Sequence, residues 1–345
     1  MSSIKAAKIL IIEVNWLGDV LFSTPAIKAL RKKFPDSHIA CLIVPRVKEV
    51  LERNPDINEF IINDEQGLHK GLAGKMKLAQ ELKEKKFDMT AIFHRSFTRA
   101  LITYWAGIPK RVGYSAWKRA FLLTRALPMP GKDSLHRVNY YLNIVEPLGC
   151  ATGDRFYEFF TAEGDKKFID NFFQNEGISA GDFVVCLNPG GNWLPKRWPK
   201  EYFAQLADRL RDESRARVIF SGSQDDALLI REITGMMKHA PVVAAGKTSL
   251  AQAACLFKRA NVVVSADSGP LHIASSIGAN IVALFGPTSY LITGPIGKGK
   301  ITLLQKDIGC RIPCYDTKCD DNRCMREITV DEVFSAVKEF IPEKK

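Results

Sequence analysis

The stretch KILIIEVNWLGDVLFSTPAIKALRKKF, residues 8–34, decides the fold. Residues 8–14 form a nearly continuous apolar run, which is typical of a parallel strand buried on both faces. From residue 18 onward the apolar residues recur at helical spacing. Pro25 interrupts this pattern, so we predict that the helix begins near Pro25 with Thr24 as its cap. A buried strand followed at once by an amphipathic helix is the start of a parallel α/β unit.

The same alternation continues along the chain, with helical patterns between strand-like runs at 38–44, 87–93, 183–189, 216–222, 241–245, 261–267 and 280–287. Such alternation predicts parallel sheets with right-handed crossovers. Because 345 residues are too many for one ordinary domain, we predict an α/β protein with two doubly wound, Rossmann-like domains. Their predicted bounds are 1–163 and 164–327, with a C-terminal helix in 328–345. Ligands should bind at the carboxyl ends of the strands.

The composition is that of an ordinary globular protein, with 46 % hydrophobic and 25 % charged residues. No apolar stretch approaches the roughly 18 residues that a membrane span needs. The opening MSSIKAAKILIIEV lacks a small-residue cleavage site, so it reads as the first strand and not as a signal peptide. We therefore expect a cytoplasmic protein.

Positive charge is concentrated in the first half of the chain. Residues 1–150 hold 24 Lys+Arg against 14 Asp+Glu, a net charge of +10, whereas the remainder holds 25 against 24. This imbalance favours an anionic partner for the first domain, although solubility alone would also explain it. A phosphorylated small molecule and an anionic lipid are both compatible with the charge. No nucleic-acid-binding motif accompanies it, so we expect no nucleic-acid partner.

The loop NWLGDV, residues 15–20, directly follows the first predicted strand. Gly18 permits a tight turn, and Asp19 then lies at a helix start. The Asp19 carboxylate would serve either as a general base or as a common helix cap. No G-x-G-x-x-G pattern follows the strand, which argues against a dehydrogenase.

Three loops of the second half carry groups that suit a diphosphate. In NPGGNWLPKRWP (188–199), two glycines offer backbone N–H groups and Lys196 and Arg197 add charge. In SADSGPLHIASS (265–276), a strand ends at a helix start, where a hydroxyl, N–H groups and the positive end of the helix dipole meet. FGPTS (285–289) ends the neighbouring strand. The alternative is that these are a surface loop, a helix cap and a packed core histidine.

Together with SFTRALITYWAGIPKRVGY (96–114), these motifs stand in an order that resembles the bacterial heptosyltransferases, glycosyltransferase family 9. The resemblance runs from about residue 8 to residue 341. It implies a GT-B fold, in which two Rossmann-like domains face a central cleft. It also implies transfer of L-glycero-D-manno-heptose from ADP-heptose to the inner core of lipopolysaccharide, with inversion at the anomeric carbon.

The resemblance also implies roles for individual residues. Asp19 and Lys196 correspond to catalytic positions, with Asp19 as the base. The donor site would comprise Gly190, Gly191, Lys196, Asp267, Ser268, Gly269, His272, Pro287 and Thr288. An inverting transfer needs one base, and Lys196 with a helix N-terminus can stabilise the leaving diphosphate without a metal. No D-x-D pair lies near the donor loops, so we expect a metal-independent enzyme that needs no cofactor besides its donor substrate.

The acceptor would be Kdo-lipid A or a heptosylated inner core, whose phosphates and carboxylates would explain the basic first domain. Candidate acceptor-binding residues are Arg95, Arg99, Lys110, Arg111 and Arg137, with Lys118 and Arg119 in the same basic stretch. We expect a monomer, peripheral to the inner face of the inner membrane. Two alternatives stay open: a family 9 transferase that uses another nucleotide sugar, and a non-enzymatic protein that binds nucleotides or anionic lipid.

Four cysteines form a C-x3-C-x4-C-x4-C cluster, Cys310, Cys314, Cys319 and Cys324. In an intracellular protein such a cluster suggests metal before disulfide. The spacing matches neither the paired C-x2-C zinc pattern nor that of ferredoxins. Reduced structural thiols and a metal or redox site both remain open. The other cysteines, Cys41, Cys150, Cys186 and Cys255, read as buried small hydrophobic residues.

Overall fold

A computed structural model describes residues 6–116 and 118–341. The chain divides into two compact units, Met1–Glu158 and Phe159–Lys345. Each unit is built on one six-stranded sheet, and all strand pairs in the described part are parallel. The prediction of an α/β protein with two parallel sheets is confirmed.

The first unit has the strand order β3-β2-β1-β4-β5-β6. Its strands are β1 Lys8–Ile12, β2 His38–Ile43, β3 Glu59–Ile62, β4 Met89–Ile92, β5 Lys110–Tyr114 and β6 Arg125–Leu127. Its α-helices are α1 Leu17–Lys33, α2 Lys48–Leu51, α3 Gly71–Glu84, α4 Phe97–Trp105 and α5 Arg137–Val145. Short 3₁₀ turns cover Pro45–Val47, Ala120–Leu122 and Glu146–Leu148.

The second unit has the strand order β12-β11-β10-β7-β8-β9. Its strands are β7 Val184–Asn188, β8 Arg217–Phe220, β9 Val242–Val243, β10 Val262–Ala266, β11 Ile281–Phe285 and β12 Ile301–Gln305. Its α-helices are α6 Glu163–Asn175, α7 Lys200–Ser214, α8 Ala227–Gly235, α9 Leu250–Arg259, α10 Gly269–Ser276, α11 Tyr290–Thr293, α12 Arg323–Arg326 and α13 Val330–Lys338. Two 3₁₀ turns lie at Leu194–Lys196 and Gln224–Asp226.

Both sheets follow the same strand order when counted from their first strand, the 3-2-1-4-5-6 order of the Rossmann fold. In each sheet the chain reverses its direction of winding beside the first strand. The switch point therefore lies between β1 and β4 in the first unit, and between β7 and β10 in the second. The loops after these four strands are where a doubly wound sheet binds its ligand.

The first helix begins earlier than the sequence predicted. Helix α1 begins at Leu17, with Trp16 as N-cap, and Pro25 lies inside the helix. The prediction of a start near Pro25, capped by Thr24, was therefore wrong. Proline cannot donate to the carbonyl four residues before it. Here the Thr24 hydroxyl donates to that carbonyl, on Leu21, at 2.9 Å, so the missing hydrogen bond is replaced.

Each sheet is the centre of its own apolar core. In the first unit, the residues Ile9–Ile12 of β1 are fully buried. In the second, Phe334 and Val337 of α13 pack into one cluster with Leu187 of β7 and Val264 of β10, so the C-terminal helix belongs to this core. Within residues 6–116 and 118–341, no helix is long and apolar enough to cross a membrane.

Candidate active site

Asp19 lies in the first turn of α1, directly after the loop that follows β1. Helix α5 packs along α1 and brings the Tyr141 hydroxyl to the Asp19 carboxylate, where it donates to Oδ1 at 3.0 Å. Burial and the nearby Asp19 charge raise the pKa of Tyr141 well above its ordinary value. Tyr141 therefore stays protonated and remains a donor at every physiological pH.

The Asp19 carboxylate is not used to cap its own helix. The N-cap is Trp16, and α1 has no side-chain capping hydrogen bond. Within the described ranges, the hydrogen bond from Tyr141 is the one that this carboxylate makes, which leaves Oδ2 open to a ligand. A half-buried carboxylate with one oriented and one open oxygen has the geometry of a general base.

Glu13 is a second carboxyl group beside this loop, and it is 1 % exposed. Its Oε1 accepts from the Val14 N–H at 2.8 Å, and its Oε2 lies 2.9 Å from the Ser23 hydroxyl. Burial raises the pKa of Glu13 to about 8, and the Asp19 charge adds to that increase, against two hydrogen bonds that lower it. The Ser23 hydroxyl has one proton and also lies 2.8 Å from the Val20 carbonyl. A protonated Glu13 satisfies both contacts, because it can donate to Ser23 while Ser23 donates to Val20.

Because the Glu13 carboxyl is protonated in the folded chain at neutral pH, we predict that Glu13→Gln stabilises the protein. The pKa of Glu13 is 4.5 in the unfolded chain and about 8 in the folded chain. Glu13 therefore lowers the free energy of unfolding progressively as pH rises between those values. Glutamine keeps the shape and both hydrogen bonds without titrating. We expect Glu13→Gln to raise the free energy of unfolding by about 1–3 kcal/mol at pH 8 and to change little below pH 4.5.

Thermal unfolding of the Glu13→Gln variant at pH 4.5, 6 and 8 tests this, with Glu84→Gln on the exposed face of α3 as the control. A gain in melting temperature that did not grow with pH, or a loss at pH 8, would show that Glu13 is ionised in the fold.

A polar cavity of about 240 Å³ lies at the carboxyl edge of the first sheet. Its lining includes Asn15 after β1, His94 after β4, and Arg99 and Thr98 of α4. The Arg99 side chain is buried, with its guanidinium 3.0 Å from the Glu65 carboxylate and 3.5 Å from the Asn15 amide oxygen. Burial, with the charges of Arg99, Arg119 and Arg95, lowers the pKa of His94 to about 4. The lining thus combines the buried Arg99 cation with the Glu65 carboxylate that pairs with it.

The other basic candidates divide into exposed and structural side chains. Arg95 and Lys110 are exposed. Arg111 donates from Nε to the Leu122 carbonyl at 2.6 Å and from Nη1 to the Ile108 carbonyl, so it holds the chain around β5. Arg137 begins α5 and lies over the Tyr140 ring, on the helix that carries Tyr141.

Two residues of the same basic stretch differ sharply. Lys118 is exposed, whereas Arg119 is fully buried. The Arg119 guanidinium donates to the carbonyls of Tyr114, His94 and Ser96 at 2.6–3.0 Å. Arg119 therefore supports the loop after β4, and its cationic charge contributes to the low pKa of His94.

In the second unit, Asp267 follows β10 and collects three partners. Its Oδ2 accepts from the Lys196 ammonium at 2.9 Å and from the Thr293 hydroxyl at 3.2 Å, and its Oδ1 lies 3.2 Å from His272 Nε2. Burial would raise the pKa of Asp267. The His272 hydrogen bond and the Lys196 charge more than offset burial, and they hold the pKa well below its usual range. Asp267 is thus an ionised, buried anchor for one cation and one imidazole.

Asp267 also places Lys196 beside a helix N-terminus. Ser268 is the N-cap of α10, yet its side chain makes no capping hydrogen bond. The Lys196 ammonium lies 5.3 Å from the centre of the Trp193 ring, and its side chain remains 24 % exposed. A partly exposed cation next to open N–H groups and a hydroxyl is suited to bind phosphate.

Two buried polar atoms near these loops have no partner in the described structure: the Thr288 hydroxyl after β11 and the Asn188 amide oxygen at the end of β7. Buried polar groups are normally hydrogen-bonded. Thr288 was predicted from the sequence as a donor-binding residue, and Pro287 precedes it. Unsatisfied polar atoms at the carboxyl edge are compatible with a ligand that supplies the missing partners.

The glycine loop after β7 has a packing role as well. A Cβ at Gly190 would lie 2.4 Å from an oxygen of the Asp226 carboxylate, so any side chain there would force that carboxylate to move. The Gly191 carbonyl accepts from Arg197 Nε at 2.7 Å, which ties Arg197 to its own loop. Of the two cations in this loop, Lys196 is the one that contacts Asp267.

The four-cysteine cluster lies in the same unit, after β12. All four thiols are free; Cys310 is exposed and Cys324 is buried. The Cys314 N–H donates to the Pro287 carbonyl at 2.7 Å, and Cys324 packs against Gly286. Across residues 6–116 and 118–341, no three or more His, Cys, Asp or Glu side chains are grouped as a metal site. The cluster therefore contacts the loop after β11 through packing and one backbone hydrogen bond.

Sequence reasoning missed four polar residues of these sites: Glu13, His94, Tyr141 and Thr293. Glu13 and His94 had a usable signal, because each is a polar residue at the carboxyl end of a buried strand. No sequence signal marks Tyr141 or Thr293, because each bonds its aspartate from a different helix of the chain.

Comparisons with known proteins identify the family of this chain. The family model described as "Glycosyltransferase family 9 (heptosyltransferase)" matches residues 75–323. Lipopolysaccharide heptosyltransferase 2 of Escherichia coli K12 is 29 % identical over 304 residues, which cover 84 % of this chain and 85 % of that protein. A solved family 9 glycosyltransferase from Veillonella parvula is 26 % identical, with a TM-score of 0.87 and 98 % of each chain covered.

The solved structure of E. coli ADP-heptose lipopolysaccharide heptosyltransferase II is also 26 % identical. Its TM-score is 0.80, with 97 % of this chain and 98 % of that chain covered. These likenesses confirm the GT-B fold class with two Rossmann-like domains. The chain belongs to glycosyltransferase family 9, the heptosyltransferases.

Proposed function

We propose that this protein transfers heptose from ADP-heptose to the inner core of lipopolysaccharide, with inversion at the anomeric carbon and without a metal ion. The observation that carries this function is the Lys196 ammonium, which Asp267 holds at the carboxyl edge of β10 beside the start of α10. The similar E. coli protein, named for ADP-heptose and lipopolysaccharide, supports the choice of donor and acceptor.

The donor diphosphate would bind in the second unit. Lys196 and the N–H groups at Ser268 and Gly269 would face its phosphates, with Thr288, Pro287 and the glycine loop at 190–191 around it. His272 would donate to the diphosphate, or it would keep the hydrogen bond to Asp267 that it makes in this structure. As the bond to the sugar breaks, negative charge grows on the outer phosphate. A fixed cation and a helix N-terminus stabilise that charge without rearrangement, which is the role otherwise given to a metal.

The acceptor would meet Asp19 in the first unit. The open Oδ2 would take the proton of the acceptor hydroxyl as the hydroxyl oxygen attacks the anomeric carbon, and the diphosphate would leave with the electron pair of its bond. One attack from the side opposite the leaving group inverts the configuration. Neutral Glu13 keeps a second negative charge away from this carboxylate.

Acceptor recognition would use the polar cavity at the carboxyl ends of β1 and β4. Arg99 and His94 line it, and exposed Arg95 and Lys110 lie on the same basic stretch. Phosphate or Kdo carboxylates of the acceptor would replace Glu65 as the partner of Arg99. Arg111 has carbonyl partners of its own and would act by holding the chain.

Ligand-induced stabilisation separates the candidate donors. We expect ADP and ADP-heptose to raise the melting temperature by several degrees, with UDP and GDP giving much smaller shifts, because a ligand stabilises in proportion to its saturation. Addition of EDTA should not change the shift. A larger shift with UDP or GDP would indicate a family 9 transferase with another nucleotide sugar. An ADP shift without turnover on any acceptor would indicate a binding protein.

Tyr141 is expected to position Asp19, and Tyr141→Phe tests this. The variant keeps the ring and loses the hydrogen bond to Oδ1. We expect kcat to fall roughly threefold to thirtyfold with an unchanged KM for the donor, since a general-base contribution is about 10²–10⁴-fold and only its orientation is lost.

Tyr140→Phe is the matched control, because the Tyr140 hydroxyl is buried without a hydrogen-bond partner in the described structure. A Tyr141→Phe enzyme with an unchanged kcat would show that the tyrosine has a packing role only.

A further inference from the structure

The outer face of α4 is unusually aromatic for a solvent-exposed surface. Phe97, Tyr104 and Trp105 are 38 %, 50 % and 38 % exposed, and their spacing of seven and eight residues places them on one side of the helix. Phe121, on the neighbouring 3₁₀ turn, is 71 % exposed and its ring centre lies 6.2 Å from that of Phe97. We call these four residues the aromatic face.

The segment of the chain that carries the aromatic face is rich in positive charge. Residues 89–132 contain eight Lys and Arg and no Asp or Glu. Arg95, Lys110 and Lys118 from this stretch are exposed, and the Arg111 guanidinium lies 5.3 Å from the centre of the Tyr104 ring. The surface therefore combines large apolar side chains with cations, and its own segment supplies no negative charge to offset them.

We propose that the aromatic face docks on the surface of a bilayer that contains anionic lipid. Tyr and Trp favour the interface between headgroups and acyl chains, because the ring is apolar and the polar atom stays hydrated. Lys and Arg beside them are attracted to anionic headgroups. A face of this kind binds a membrane through apolar burial and charge together, with no need for a membrane-spanning helix.

The position of the face relative to the cavity favours a membrane over a sugar ligand. Other residues of α4, Thr98, Arg99 and Ile102, line the polar cavity that also contains Asn15 of the Asp19 loop. None of the four residues of the aromatic face lines that cavity. Helix α3, which packs on α4, exposes Leu72 and Met76 as well. Docking would thus bring the membrane to the outside of α4 while the cavity stays open to a lipid-linked acceptor.

This inference deepens the proposed function, and it rests on that function only for the lipid-linked nature of the acceptor. Binding to vesicles needs no substrate, so the two can fail separately. The assay is co-sedimentation of the full chain with phosphatidylcholine vesicles, with or without about one third phosphatidylglycerol. We expect binding to the anionic vesicles, weaker binding to neutral vesicles, and loss of binding as salt rises.

The decisive variant is Trp105→Ser/Phe121→Ser, because neither side chain lines the cavity. We expect its affinity for anionic vesicles to fall at least about tenfold, with unchanged transfer to a lipid-free acceptor oligosaccharide. Leu228→Ser, at a 63 % exposed leucine on α8 of the second unit, is the matched control and should bind as the wild type does.

Equal vesicle binding by the double variant and the wild type would overturn the inference, as would absence of wild-type binding. The alternative partner for such a face is a second copy of the chain, and light scattering tests for it. A wild-type dimer that becomes monomeric in the double variant would assign the face to a second copy of the chain and would also overturn it.

Discussion

Asp19→Asn is expected to lower kcat about 10²–10⁴-fold while ADP still raises the melting temperature as it does for the wild type. Asparagine has the size of aspartate, and its amide oxygen can accept the Tyr141 hydrogen bond that Oδ1 accepts now. The fold and the loop after β1 should therefore persist. What is lost is the ability to take a proton, which is the one property that the general-base role requires.

Asp36→Asn is the control for this variant, since Asp36 is exposed just beyond the end of α1. Its turnover should match that of the wild type. If Asp19→Asn retained more than about a tenth of the wild-type rate, a different group would have to be the base. Loss of the ADP-dependent shift in the same variant would point instead to a folding defect.

Lys196→Ala is expected to lower kcat about 10²–10³-fold, which is the usual loss when one group that stabilises developing charge is removed. The substitution also removes the Lys196 ammonium from the buried Asp267 carboxylate and leaves His272 and Thr293 as its partners. Burial raises the pKa of Asp267, and the variant loses the Lys196 charge that helps to offset this burial in the wild type. The second unit should therefore lose stability, and removal of one partner from a buried ion pair costs about 3–5 kcal/mol when both groups are fully buried.

The Lys196 side chain is 24 % exposed, so the free energy of unfolding should fall by less than about 3–5 kcal/mol in Lys196→Ala. Lys200→Ala is the control, because the Lys200 ammonium pairs with the Glu232 carboxylate at 2.9 Å on the surface of the second unit. It should change neither kcat nor stability appreciably, as expected for an exposed pair. A folded Lys196→Ala enzyme with a near-wild-type kcat would remove Lys196 from the chemistry.

The general architecture could be predicted because its signals are local. A buried strand followed by an amphipathic helix is visible within residues 8–34 and recurs along the chain. Short strands such as β5 and β6 escaped prediction, since they carry charged residues at their exposed ends. The start of α1 was misplaced because a proline inside a helix is rare. Only the structure shows that Thr24 replaces the lost hydrogen bond.

The sites could be predicted only in part, for a related reason. Asp19 and Asp267 follow strands, so the rule that ligands bind at carboxyl ends points to both. Their partners are long-range: Tyr141 is 122 residues from Asp19, and Lys196 is 71 residues from Asp267. A single sequence holds no pattern for contacts of this kind. The same limit applies to Arg111 and Arg119, whose carbonyl partners distinguish them from exposed cations such as Arg95 only in the folded chain.

The most direct test is the reaction itself, with ADP-heptose and a Kdo-bearing inner-core acceptor in the presence of EDTA. Two quantities are measured. One is the amount of ADP released, and the other is the anomeric configuration of the product, which is determined by NMR. We predict one glycosylated acceptor per ADP released, with the configuration at the transferred heptose opposite to that of the donor. Retained configuration, or ADP release without a glycosylated acceptor, would contradict the assignment of Asp19 and Lys196 to an inverting, metal-independent heptose transfer.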